Sequence, residues 1–331
     1  MAGRRRKKSG GRSYAWIYRG RIVACVFVEV IIICALVIMI GWNKGVKEWF
    51  EQFEQPVLKE VDISGINSPN AILMQARGGK ILGEINGEAQ IYPASMTKIM
   101  TVILGIENFD DLDEKITLTN EMFSGLYEQD ATQAGFQPGE EVRVIDLLYG
   151  AMLPSGSECC IALADTISGS EADFAELMNK KARKLGMENT HFCDSTGLHN
   201  PDHYSTVKDI AVLMKYCIKN DTFREIVETS RHSTGVTNIH PDGITYYSTM
   251  FKNLSDPTVT GGKILGGKTG YTSEAGHCLV SFAEIEGREY IFVSAGASGA
   301  DGNTIPHIQD AVTVYNRVGA AIEEKMNDNN K

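Results

Sequence analysis

The chain is poor in the features that mark several large protein classes. It has no cysteine framework. Two of its seven cysteines, Cys25 and Cys34, sit inside one apolar run, and Cys159, Cys160, Cys193, Cys217 and Cys278 follow it. Five is an odd number, the spacing is not that of a cross-linked module, and adjacent residues such as Cys159 and Cys160 rarely bridge. They read mostly as buried thiols, which sets aside a small disulfide scaffold. Internal repeats and low-complexity tracts are also missing, which sets aside solenoids and disordered linkers. Acid is absent from residues 1–21, which carry eight Lys and Arg. With the whole chain at −10, residues 22–331 therefore carry −18. An acidic body is a poor match for nucleic-acid phosphates, so no nucleic-acid partner is expected.

Long hydrophobic runs are scarce as well, with one exception. Residues 22–41 read IVACVFVEVIIICALVIMIG. Twenty residues at a helical rise cover about 30 Å, the thickness of a bilayer core. A cleaved signal peptide is the alternative, but its apolar core usually runs about 7–15 residues and ends in a small-x-small site. The run predicts an uncleaved transmembrane anchor, with residues 1–21 a basic cytoplasmic tail and the protein a single-pass cell-membrane protein whose residues from 43 onward lie outside the cytoplasm. Glu29 sits off-centre, near the basic end, where partial solvation tempers its cost. Residues 42–62 form a linker, in which VKEWFEQFEQPVLKE suggests an amphipathic helix ending near Pro56.

Beyond it, residues 63–323 read as one domain and 324–331 as a polar tail. Two strand-like runs flank Gly78-Gly79, a hairpin signal. Apolar spacing at Ile99, Val102, Ile103 and Ile106 predicts a buried helix. VRVIDLLYGAMLPSGSECCIALADTI reads as helix, break at Pro154, helix. Ser170 to Asp173 and Thr206 to Asp209 resemble capping boxes, each opening a helix. GHCLVSFAEIEGREYIFVSAGA gives two strands joined at Glu286-Gly287, and a final helix covers Ile308 to Glu323. Strands at both ends with helices between predict an α+β domain with a helical subdomain.

The chemistry centres on IYPASMTKIM, residues 91–100. With Ser95 in the first helical turn, Lys98 lies on the same face. A serine hydroxyl is a weak nucleophile that needs a base, and a lysine can serve when desolvation and nearby cations lower its pKa. Alone, Ser-x-x-Lys is a common surface pair. Two further motifs change that: SGS at 155–157, after the helix break, and KTG at 268–270, preceded by Gly266-Gly267 and leading into a predicted strand. S-x-x-K with S-D-N and K-T-G is the signature of penicillin-binding proteins and class A β-lactamases.

These motifs, with LMNKKARKLGMENTHFCDSTGLHNPDHYST and KTGYTSEAGHCLVS, make the chain resemble the serine D-alanyl-D-alanine carboxypeptidases, the low-molecular-weight penicillin-binding proteins, over roughly residues 65 to 320. The resemblance implies a penicillin-binding-protein/β-lactamase-like transpeptidase fold, an antiparallel sheet with flanking helices. It implies that Ser95 attacks the carbonyl between the last two D-Ala residues of a peptidoglycan stem peptide, that Lys98 takes its proton, and that Ser155 relays a proton to the leaving D-Ala. Lys268 and Thr269 would hold the terminal carboxylate of substrate or β-lactam. Backbone N–H groups of Ser95 and Tyr271, next to Gly270, would form the oxyanion hole. No metal or organic cofactor is implied. The membrane tether would raise enzyme concentration beside an immobile polymer.

One departure stands out. The family usually places Asn at the third position of the middle motif, where this chain has Ser157, a shorter side chain with one donor. Three other readings compete. A class A β-lactamase needs a Glu to direct water, for which Glu176 with Asn179 is the nearest candidate, although a surface helix fits that stretch better. A zinc peptidase could use His191, Cys193, His199 and His203, although turn residues among them favour structural histidines. A penicillin-binding or sensing scaffold with a weakened site would rest on Ser157 alone.

Overall fold

The computed structural model describes residues 58–254, 256–299 and 305–329, together with Val30 and Ile33. Apart from those two helical residues, the predicted anchor at 22–41 and the linker up to residue 57 lie outside the described residues. Among the described residues no helix is long and apolar enough to cross a membrane.

Alternation along the strands builds the centre of the domain. β1 (Asn70–Gln75) and β2 (Ile81–Ile85) form the expected hairpin, with Gly78 and Gly79 both at positive φ. Six antiparallel strands make one sheet in the order β2-β1-β10-β9-β8-β7. Here β7 is Thr258–Val259, β8 Gly262–Thr272, β9 Gly276–Ile285 and β10 Arg288–Ala297. Successive side chains of a strand point to opposite faces. Cys278, Val280 and Phe282 of β9 therefore join one apolar cluster, and Leu279, Ala283 and Ile285 join another. The two short sheets are β3 (Lys115–Thr117) with β4 (Glu141–Arg143), and β5 (Arg231–Ser233) with β6 (Thr245–Tyr247).

The first cluster packs the sheet against the middle helices: α1 (Lys98–Asn108), α2 (Val144–Met152), α3 (Ser157–Ser168), α4 (Glu171–Leu185), α5 (Val207–Cys217) and α6 (Asp221–Glu228). The short α7 is Thr249–Asn253. Both capping signals hold. Ser170 Oγ accepts from Asp173 N at 3.1 Å and Thr206 Oγ1 from Asp209 N at 3.0 Å. Gly186 closes α4 in the left-handed region. On the other face, Ile308, Ala311, Tyr315, Val318 and Ile322 form one stripe of α8 (Pro306–Asn329), packed with Leu58, Val61 and Ile63. The Tyr315 hydroxyl meets Ser281 Oγ at 3.0 Å and accepts from Phe292 N at 3.1 Å, so its polar end is satisfied inside the core.

Two elements differ from expectation. The last helix starts with Pro306 and continues through residues 324–329, because EEKMND contains no helix breaker and Pro is well placed at a first helical position. The Lys-Thr-Gly run lies inside β8 rather than ahead of a strand. Gly266 and Gly267, which precede it in the same strand, are sites of close approach: a Cβ on Gly266 would strike the Val227 carbonyl oxygen, and one on Gly267 that of Val280.

Buried Asp310 joins α8 to the start of the domain. Its Oδ1 accepts from Asn67 N and Nδ2, both at 2.8 Å, and its Oδ2 from Ser68 N at 2.9 Å and Ser68 Oγ at 2.6 Å. Removing the carboxylate leaves four donors without their partner. Asp310→Ala is expected to lower unfolding free energy by about 3 kcal/mol in urea titrations.

Candidate active site

Local backbone geometry places the nucleophile. Residues Ala94–Thr97 form a 3-10 turn that runs straight into α1. Side chains three apart eclipse in a 3-10 turn, so Lys98 stands directly over Ser95, with Nζ 3.1 Å from Oγ. Ala94 enters the turn at φ 47°, a sparsely populated conformation for a residue with a side chain. The second hydroxyl comes from the break between α2 and α3. Past Pro154 the chain reverses at Ser155, φ 73°, and Ser155 Oγ donates to Ser95 Oγ at 2.9 Å. Non-glycine residues held at positive φ cost energy and cluster at functional sites.

From the sheet, Lys268 Nζ reaches Ser155 Oγ at 3.0 Å and the Thr269 carbonyl at 2.9 Å. Four side chains from three elements thus form one continuous chain, Lys98–Ser95–Ser155–Lys268. Thr269 Oγ1 lies 2.7 Å from Thr249 Oγ1 of α7. Gly270 lets β8 pass against the nucleophile's turn, since a Cβ there would sit 3.0 Å from Ser95 N, 3.1 Å from Ala94 Cβ and 3.2 Å from the Pro93 oxygen. A cleft of about 750 Å³ opens over these groups, lined by Ser95, Lys98, Ser155, Ser157, Thr269 and the exposed Tyr271 among others. Every residue picked out by the three motifs is in or against this cleft. Ser157, first residue of α3, lines it while its N–H donates to the Thr132 carbonyl at 2.8 Å. Neighbouring Glu158 pins the same wall through Ala134 N at 2.6 Å and Gly135 N at 2.9 Å.

Both ammonium groups are almost wholly buried, Lys98 at 2% and Lys268 at 1% exposure. Burial pushes the pKa of each below the ordinary lysine value, and the charge of Lys98 lowers Lys268 further. A lysine driven towards its neutral form within reach of a hydroxyl can remove that hydroxyl's proton.

Some partners left no motif in the sequence. The Thr196 carbonyl accepts from Lys98 Nζ at 2.7 Å, and Thr249 braces Thr269. The stretch DSTGL held a hint of the first in its turn chemistry, and nothing before Thr249 marked the second. Of the competing residues, His199 lines the cleft and the others lie outside its lining. Glu176 is exposed on α4, away from the cleft lining, and Asn179 is committed to Phe192, exchanging two 2.8 Å hydrogen bonds with its backbone. His203 faces Thr97 and Asp194, and His191 Nδ1 meets the Asp202 carbonyl at 2.7 Å. Cys193 sits beside His191, its Sγ 3.6 Å from Nδ1, and His199 lies nearer Glu274, at 3.9 Å. Among the described residues, no group of three or more His, Cys, Asp or Glu is placed to hold a metal ion.

Sheet, helical layer and serine–lysine cleft together are those of the serine DD-peptidases. The chain belongs to the D-alanyl-D-alanine carboxypeptidase family, peptidase S11, whose family model matches residues 57–299. It is 35% identical over 231 residues to the D-alanyl-D-alanine carboxypeptidase DacF of Bacillus subtilis (strain 168), covering 69% of this chain and 57% of that protein. It is 33% identical over 262 residues to DacC of Escherichia coli (strain K12), covering 72% and 58%. The match therefore spans less than two thirds of the length of these two relatives. A mutant structure of the Streptomyces K15 DD-transpeptidase superposes with a TM-score of 0.70 at 30% identity, over 77% of this chain and 98% of that one.

The two buried cations are coupled, and the coupling is measurable. With lysine labelled at Cε by ¹³C, two resonances of the full-length chain are expected to titrate below the ordinary lysine range. Lys98→Met removes one of them and is expected to move that of Lys268 to higher pH.

Proposed function

We infer that the chain is a serine D,D-carboxypeptidase acting on peptidoglycan stem pentapeptides. The observation that carries this reading is the Lys98–Ser95–Ser155–Lys268 chain at the floor of an open cleft. Ser95 Oγ attacks the carbonyl between the last two D-Ala residues while its proton passes to Lys98. The carbonyl's developing negative charge is met by backbone N–H groups of Ser95 and Tyr271, donors of the kind that stabilise such intermediates by several kcal/mol. The C–N bond then breaks as the proton held by Lys98 is relayed through Ser155, backed by Lys268, to the departing D-Ala amine, which leaves Ser155 as a hydroxyl. Water hydrolyses the resulting ester, which frees the shortened peptide and restores Ser95. Lys268 and Thr269 hold the substrate's terminal carboxylate. A β-lactam, whose ring amide and carboxylate occupy the same positions, acylates Ser95 in the same way. Since the solved relatives include a DD-transpeptidase, an amine acceptor in place of water is the second reading of the final step.

The proposal includes tethering. The apolar run at 22–41 and the basic block before it support a single membrane pass with the catalytic domain, residues 63–323, outside the cytoplasm. Peptidoglycan peptides and β-lactams are the partners this arrangement serves.

Mass spectrometry of the full-length chain after benzylpenicillin is expected to place one adduct on Ser95, with D-Ala released from a D-Ala-D-Ala peptide in its absence. An unlabelled Ser95 in folded protein overturns the reading. Added glycine or D-amino acids distinguish hydrolysis from transfer by the product formed. Ser157 lacks the amide that could bond both lysine and substrate. Ser157→Asn is expected to raise turnover about five- to tenfold, the worth of roughly one hydrogen bond, and unchanged turnover and acylation refute a functional cost of Ser157.

A further inference from the structure

Behind the nucleophile's turn lies a second polar chain that the acyl-transfer steps do not use. Asp194 Oδ1 accepts from Thr196 N at 2.7 Å, Thr196 Oγ1 at 2.7 Å and Gly197 N at 2.6 Å. Its Oδ2 faces His203 Nδ1 at 3.2 Å. Cys193 N lies 3.1 Å from the same Nδ1, which can donate to Asp194 only when it carries the proton, and Nε2 lies 2.9 Å from Thr97 Oγ1. Asp, His and Thr in this order have the connectivity of a hydrolase triad. Thr97 is, however, fully buried, and Gly197, at φ 79°, lies so close over Ala94 that a Cβ would strike the Ala94 oxygen. No substrate reaches that hydroxyl. What the chain does reach is Lys98, because the tight turn that Asp194 closes aims the Thr196 carbonyl at Nζ, 2.7 Å away.

We propose that Asp194, braced by His203, is the positioning residue of the catalytic amine: it fixes the Thr196 carbonyl that takes an N–H of Lys98, so that the amine's lone pair is left facing Ser95. The inference rests on the reading of Lys98 as general base. A neutral amine has two N–H groups and one lone pair. Committing one N–H to a rigid carbonyl restricts rotation about the last side-chain bond, which is what orientation requires.

Asp194 also sets a charge. Groups face Lys98 from three sides: Glu158, Cys159 and Cys160 from α3, Lys268 from β8, and Asp194 with His203 behind it from the loop. Burial drives Cys160 up to about 12 and Cys159 well above its ordinary value, so both are uncharged thiols at neutral pH. Burial raises Glu158 also. Asp194 behaves oppositely. Burial opposes its ionisation, yet the hydrogen bond and charge of His203 and the Thr196 donors hold it at about 2. It is therefore an ionised acid near Lys98 across the working pH range, and its charge restrains the fall of the lysine's pKa.

The test uses the full-length chain, two variants and two readouts: the pH profile of Ser95 acylation by a penicillin, and the titration of ¹³Cε-labelled Lys98. Asp194→Asn keeps an acceptor for the turn but removes the charge. Its Lys98 titration and the acid limb of its acylation profile are expected to move to lower pH together, with a rate loss under tenfold. Asp194→Ala loses the turn, and about a 100-fold fall in acylation is expected in folded protein. An Asn variant whose Lys98 titration and acid limb both stay in place overturns the proposal, as does an Ala variant that folds and acylates at the wild-type rate. Should wild type leave Ser95 unlabelled, the proposed function fails, and the Lys98 titration of the Asn variant still decides this inference.

Discussion

Everything at the site depends on keeping water away from one amine. Lys98 Nζ lies between the Ser95 hydroxyl and the Thr196 carbonyl, with almost none of its side chain exposed. Water would solvate the ammonium and return the lysine to its usual protonated state, in which it has no lone pair for the serine's proton. The two-sided core is the means of exclusion. The middle helices cover one face of the sheet and α8 covers the other, so the KTG strand presents a second lysine from a dry interior. Burying two like charges this near each other costs a great deal if both stay protonated. The structure resolves the cost by lowering both pKa values. The same desolvation that threatens stability favours the neutral amine that the proposed mechanism uses as its base.

Much of this was legible in the sequence, for reasons that differ from element to element. The hairpin at Gly78-Gly79, the capping boxes at Ser170 and Thr206 and the strand pair around Glu286-Gly287 are local signals, each set by a few neighbouring residues. Ser95, Lys98, Ser155 and Lys268 were readable because short motifs encode them. The middle stretch was not. α6, β5, β6 and α7 are short, and most of their residues give no long periodic run, so tertiary packing decides them. Thr249 meets Thr269 across twenty residues, and Asp194 serves a lysine almost a hundred positions away. The first contact leaves no local trace, and the second leaves only the turn chemistry of DSTGL. Glycine is ambiguous for a related reason: it marks both a turn and a place where two backbones nearly touch, and at Gly266-Gly267 only the neighbouring α6 and β9 decide between them.

Ser157 belongs to a different kind of limit. Its position follows from the helix break, and its place on the cleft wall follows from α3. Its consequence depends on the substrate amide of the proposed reaction, towards which serine offers one hydroxyl where asparagine would offer both a donor and an acceptor. The proposed mechanism tolerates this because it gives the steps that make and break bonds to the neighbouring Ser–Lys chain, which Ser157 borders without joining.

Precision at the nucleophile comes from backbone as much as from side chains. Three segments converge on the turn at residues 94–98. β8 passes it at Gly270, the loop after Asp194 lies against Ala94 through Gly197, and Ser155 approaches at positive φ to hydrogen-bond Ser95. At Gly270 and Gly197 a side chain would push the nucleophile's turn aside, and at Ser155 a relaxed φ would swing the hydroxyl away. These contacts leave the Ser95 turn little room to move, which matters because an ångström of displacement at a reacting atom can cost about a hundredfold in rate. Local strain at Ala94 and Ser155 is therefore sustained by the packing around it. The large, doubly covered sheet supplies that packing, which links the size of the hydrophobic core to the placement of a single hydroxyl.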